Sequence, residues 1–150
     1  MKAMLKTFLS VLLFSSASAA NAQSNIQVFN AYLAVKNDLV QSETKQAAKD
    51  ILILQKAISA SQLVQKKELL SIVDKWVLSD DIDKQRKEFS FLSVQLWPII
   101  KSDKDLVQTV YYQYCPMKKA YWLSTDESIR NPYYGRQMLT CGKTVEKIVK

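Results

Sequence analysis

Four sulfur-bearing residues carry the most distinctive chemistry of this chain: Cys115, Met117, Met138 and Cys141. The two other methionines, Met1 and Met4, lie at the very start. The four read as two half-sites, Cys115-Pro116-Met117 and Met138-Leu139-Thr140-Cys141. In an extended segment residues i and i+2 point to one side, which suits Cys115 and Met117. In a helical turn residues i and i+3 are neighbours, which suits Met138 and Cys141. Brought together, the halves offer two thiolates and two thioethers. Thioethers are neutral and soft, so the set favours Cu(I), and Ag(I) by the same chemistry, over magnesium or calcium. Zinc would accept the thiolates but gain little from methionine. A monovalent ion on two thiolates leaves a charge of −1, which Lys118, Lys119, Arg136 and Lys143 are close enough in sequence to offset. The same cations are expected to lower the cysteine pKa values.

A Cys115–Cys141 disulfide is the competing reading. Two cysteines in an oxidising compartment pair more often than they ligate metal. The bridge would close a loop of 27 residues, for about 3.5 kcal/mol of chain-entropy stabilisation. Methionines beside such a bridge are readily explained as adaptable core filler. Against this, the chain after its leader uses methionine nowhere else, although its helices offer many apolar positions. Thiol–disulfide catalysis is disfavoured because there is no C-x-x-C pair.

The chain has no histidine. This removes Cys–His and Ser–His–Asp nucleophilic sites, the usual catalytic zinc sets and the best proton shuttle near neutral pH. No carboxylate pair or Gly-rich phosphate loop stands out in its place, so an enzyme is not expected. Tyr111, Tyr112, Tyr114, Tyr121, Tyr133 and Tyr134 are read as half-buried rings of a small strand-and-loop layer rather than a sugar-stacking surface.

The elements that must position the sulfurs begin after a leader. Lys2 and Lys6 precede a short apolar run, Leu5 to Phe14, and Ala20-Asn21-Ala22 offers a small-x-small cleavage site. Residues 1–22 are therefore expected to be a signal peptide and 23–150 one envelope domain, exported to the periplasm. The apolar run is about half of the roughly 20 residues that cross a bilayer, so no stable membrane insertion is expected after cleavage. Losing Lys2 and Lys6 lowers the net charge from +7 to +5. That excess is spread over mixed helix faces, and export makes nucleic acid an unsuitable partner.

The expected fold is mainly α, an antiparallel four-helix bundle over residues 25–100 with a C-terminal strand and Cys/Met loop region over 107–147. Ile26–Val40 has near-helical apolar spacing. Glu43–Ile58 repeats Ala47, Ile51, Leu54 and Ile58, with Ser42 as N-cap. Leu63–Leu78 places Leu69, Leu70, Val73 and Trp76 inward, with Ser61 as cap. The fourth helix opens at Asp80-Asp81 and runs until Pro98 ends or kinks it. Short polar links favour antiparallel neighbours, and Trp76 and Trp97 are read as core or helix-end packing. Val107–Tyr114 favours a strand. Ser124-Thr125-Asp126-Glu127 matches a capping box and should start a helical turn, which Asn131-Pro132 stops. Gly135 permits a tight turn, Gly142 a left-handed helix cap, and Thr144–Val149 is a strand or a helix.

The blocks Val110-Tyr111-Tyr112-Gln113-Tyr114-Cys115-Pro116-Met117, Tyr121-Trp122-Leu123-Ser124, Ile129-Arg130-Asn131-Pro132-Tyr133-Tyr134-Gly135 and Met138-Leu139-Thr140-Cys141-Gly142 resemble an uncharacterised bacterial envelope domain family. Weaker agreement extends upstream through Asp81-Ile82-Asp83-Lys84-Gln85-Arg86. Members occur as small exported proteins or fused to adaptor subunits of heavy-metal efflux pumps. The resemblance implies a role in copper or silver handling, as carrier, buffer or efflux accessory. Cys115, Met117, Met138 and Cys141 are then its natural ligands, and an efflux adaptor or other envelope protein its partner. A disulfide-stapled interaction module without metal remains the alternative.

Overall fold

The computed structural model describes residues 16–77 and 79–149, with side chains described from Asn25 onward. Residues 1–15 of the expected signal peptide lie outside the described residues, as does Leu78. Helix α1 spans Ser16–Gln41, α2 Thr44–Ala60, α3 Lys66–Val73 and α4 Ile82–Ser102. A three-stranded sheet follows, with β1 at Val110–Cys115, β2 at Ala120–Ser124 and β3 at Lys143–Ile148. The order is β2-β1-β3, and both pairings are antiparallel.

The apolar spacing of α2 gives the buried face expected of it: Ala47, Ile51, Leu54 and Ile58 are its buried residues. In α1, Phe29, Tyr32, Val35 and Leu39 point into the same core. From α4 come Phe89, Leu92, Leu96 and Ile100. Trp76 is fully buried and Trp97 nearly so.

Four local expectations need correction. Ser42 does not cap α2. It sits in the left-handed region with φ 62°, and Ser42 N–H donates to Leu39 O while Glu43 N–H donates to Asp38 O. This paired arrangement satisfies the last carbonyls of α1, so Ser42 ends one helix rather than starting the next. Ser61 likewise terminates α2, its hydroxyl donating to Ile58 O. Helix α3 is only 8 residues long. Beyond it Lys75 N–H and Trp76 N–H donate three residues back, to Ile72 O and Val73 O, and this tighter winding swings Trp76 inward. Pro98 lies inside α4 and does not end it. The carbonyl that proline leaves unpaired belongs to Val94, an exposed residue, where water can serve as donor. Burial of Ile99 and Ile100 favours continuation.

Helix α4 does open as expected. Asp81 is its N-cap, and its carboxylate accepts from Asp83 N–H at 2.9 Å and Lys84 N–H at 3.2 Å.

The sheet joins the helices through aromatic rings. Trp97 stacks on Tyr112 at 4.5 Å, Tyr112 on Tyr121 at 4.9 Å, and Tyr121 meets Tyr114 at 4.6 Å. Tyr112, Tyr114, Tyr121 and Tyr134 are half-buried, as expected, whereas Tyr111 and Tyr133 are buried. A buried hydroxyl relay adds direction. Leu123 N–H donates to Tyr32 Oη, and Ser93 Oγ–H donates to Phe89 O. The Tyr32 hydroxyl must therefore donate to Ser93 Oγ, 2.7 Å away. One chain of bonds thus runs from β2 through α1 into α4.

Candidate functional site

Pairing register decides where the cysteines go. Tyr111, Gln113 and Cys115 share one face of β1, opposite Ser124, Trp122 and Ala120 of β2. The other face carries the Tyr112 stack toward α4. On the far side of β1, Tyr114 pairs with Lys143. Continuing that antiparallel register by one residue sets Cys115 opposite Gly142, which brings the preceding Cys141 to the end of β1.

The segment 125–142 folds over this first face. Gln113 Nε2 donates to Asp126 O and Glu127 O. Tyr133 meets Trp122 edge-on at 6.0 Å. Gly142 lies so close that a Cβ there would approach Trp122 Cη2 to 2.8 Å. Gly142 (φ 154°) leads into β3 instead of capping a helix, and the sequence ambiguity over Thr144–Val149 is resolved as strand. The expected helical turn at Ser124–Glu127 is absent. Ser124 closes β2, and its hydroxyl accepts from Asp126 N–H while the Asp126 carboxylate accepts from Ser128 N–H. The polar side chains that suggested a cap instead stabilise two non-helical turns.

Asn131, expected only to stop a helical turn, holds the loop in place. It is fully buried. Its N–H donates to Leu139 O at 2.7 Å, its Nδ2 to Cys141 O at 2.6 Å, and its Oδ1 accepts from Tyr133 N–H at 2.8 Å. The clue lay in its type: an asparagine before proline both avoids helix and can bond backbone on two sides. Tyr133 in turn donates its hydroxyl to Tyr121 O.

The outcome is a pair of free thiols, Cys115 buried and Cys141 half-exposed, near enough for each to sense the other. The Cys141 pKa is raised, first by desolvation and then by the neighbouring Cys115. This reverses the expectation that nearby cations lower it. At least one of those cations is otherwise engaged, since Lys118 Nζ lies 4.9 Å over the Tyr134 ring.

The thioethers are at the surface. Met117 is 63% exposed and Met138 37%. Met117 is not in an extended segment but in the turn 116–119 between β1 and β2, so alternation along a strand does not apply to it. Met138 ends a 3-10 turn, Gly135–Met138, and Cys141 N–H donates to Met138 O at 3.1 Å. The Lys118–Tyr134 contact docks the Met117 turn onto the segment that leads into Met138. Two thiols therefore neighbour each other at the end of β1, and two exposed thioethers sit on the flanking turns. Among the described residues no cluster of three or more acids and cysteines suited to a metal is present, so any further soft donor must come from methionine.

Comparison with known families places residues 28–107 in a family described as a protein of unknown function (DUF3347). The match covers α1 from Val28 through α4 and the link to β1, more than half of the chain. The blocks from Val110 to Gly142 lie beyond it. No curated protein and no solved structure matches the chain.

Proposed function

The chain belongs to the DUF3347 family of unknown function, and we propose that it binds a soft monovalent metal ion, Cu(I) or Ag(I), as its cargo. The observation that carries this reading is the β1–β3 register, in which Cys115 falls opposite Gly142, the neighbour of Cys141, with the exposed thioethers of Met117 and Met138 on adjoining turns. Two thiolates supply the affinity for a soft ion, and thioethers add donors without adding charge. Binding displaces the thiol protons. A raised Cys141 pKa therefore makes uptake stronger as pH rises.

The protein is read as a carrier, buffer or efflux accessory rather than an enzyme. Histidine is absent, and the sulfurs form the one constellation with distinctive chemistry in the sequence. The signal-peptide pattern at the start of the chain favours a periplasmic location. An efflux adaptor or another envelope protein is the fitting recipient. The helices are read as an antiparallel bundle that serves as a scaffold for the sheet and its sulfur end.

Native mass spectrometry of the reduced protein with Ag(I) tests the reading. One ion per chain is expected, with loss of at least about tenfold in affinity in the Met117→Leu/Met138→Leu variant with both cysteines intact. Retention of full affinity would remove the thioethers from the site.

A second reading rests on the same register: neighbouring thiols at the end of β1 are candidates for a Cys115–Cys141 disulfide in an oxidising compartment. It predicts no free thiol in protein isolated without reductant, and unaltered behaviour in the methionine variant.

A further inference from the structure

A cleft of about 460 Å³ lies between α4 and the β1–β2 turn, lined by Asp83, Arg86, Lys87, Phe91, Lys118 and Lys119 among others. Four cations face one carboxylate. Among the described residues the one ion pair is Lys101–Glu146, elsewhere in the fold, so none of these cations is neutralised by a carboxylate within salt-bridge distance. The strongest of them is held rigidly. Arg86 Nε donates to Pro132 O at 2.8 Å, and Nη2 donates to Leu39 O at 3.3 Å and Ser42 Oγ at 3.0 Å. All three acceptors are neutral, and Nη1 makes no hydrogen bond among the described residues. Lys118 is steadied over Tyr134, and Lys119 occupies a left-handed turn position at φ 50°. The two lysines approach from the turn while Arg86 and Lys87 approach from the helix. Phe91, 53% exposed, supplies an apolar wall.

We propose that this cleft is an anion-binding site that takes the phosphate group of a phosphate ester, with the apolar part of the ester against Phe91. A phosphate monoester suits the site better than a carboxylate because it brings more negative charge and oxygens in several directions to donors spread over two elements. The volume falls in the range of small-ligand sites. The phosphate could be that of a soluble ester or of an anionic lipid headgroup, and the test separates these sources.

The test uses the reduced, metal-free full chain. Phenyl phosphate is titrated by ¹H–¹⁵N NMR up to about 10 mM, a range that detects millimolar binding. Vesicles of phosphatidylcholine with and without phosphatidic acid, whose headgroup is a phosphate monoester, are tested by sedimentation. Saturable shifts at Phe91 and Lys118–Ala120, weaker with benzoate, support a soluble ester. Sedimentation only with phosphatidic acid vesicles supports a headgroup. In either case Lys118→Gln/Lys119→Gln should weaken binding about tenfold with unchanged circular dichroism, and Lys104→Gln, outside the cleft, should not. No saturable binding to either probe, or equal loss in the Lys104→Gln control, overturns the proposal. Because no metal is present, its failure leaves the soft-metal reading untouched.

Discussion

At the scale of single residues, Tyr32 shows how one buried hydroxyl fixes three elements. It accepts from Leu123 N–H and donates to Ser93 Oγ inside the core, and burial drives its pKa up. Tyr32→Phe keeps the ring stacked on Phe89, 4.8 Å away, but leaves Leu123 N–H without a partner. We expect a loss of about 2 kcal/mol in urea unfolding, the penalty for one orphaned buried donor. A change below about 0.5 kcal/mol would show that the relay is not a structural link. The cysteines follow the same logic of environment over type. Desolvation first and the neighbouring Cys115 second, rather than the surrounding lysines and arginine, raise the Cys141 pKa.

At the scale of elements, Gly135 is the tightest joint. Its φ is +54°, and a Cβ there would stand 2.5 Å from Ser42 Oγ, 3.0 Å from Val40 O and 3.1 Å from Arg86 Nη2. Gly135→Ala should therefore cost about 2 kcal/mol, combining left-handed backbone strain with the clash. Adding Ser42→Gly should recover part of that loss, since it removes the clashing oxygen and relaxes a second left-handed residue. Chemical denaturation of both variants checks this, and no rescue would argue against direct contact. Such joints were only partly legible in the sequence. The periodicity of Ala47, Ile51, Leu54 and Ile58 was enough to read α2, because a helix face is a local pattern. Asp81 as N-cap was readable for the same reason. The Ser42 and Ser124 assignments failed because a short polar side chain can cap, terminate or turn, and only the chain that follows decides which. Pro98 failed as a stop signal because tertiary burial of Ile99 and Ile100 outweighed a missing N–H on an exposed turn. For the sulfurs, type and clustering were visible. That Cys141 returns beside Cys115 depends on a long-range strand register that no local spacing encodes.

At the scale of the whole molecule, ionisation couples to stability where α1 meets α2. Asp38 is nearly buried, its Oδ2 has no donor among the described residues, and its pKa is raised to about 7 by desolvation, then by Asp50 and Glu43. A proton on Asp38 supplies the donor that the Asp38–Asp50 pair lacks. The folded state thus holds a proton that the unfolded chain releases near its ordinary value of 3.8. Stability from this group is complete below pH 3.8 and declines as pH rises through about 7. Asp38→Asn should flatten the fall in Tm between pH 5 and pH 7.5 and stabilise the protein by about 1 kcal/mol at the upper end. An unchanged slope would place the buried proton elsewhere.

The sulfur site is best tested by X-ray absorption at the copper edge, on reduced protein carrying one equivalent of Cu(I). The account predicts a first shell of sulfur alone, containing more than the two thiolates and losing scatterers in the Met117→Leu/Met138→Leu variant. A shell containing nitrogen or oxygen, or copper that washes off the reduced protein, would contradict it.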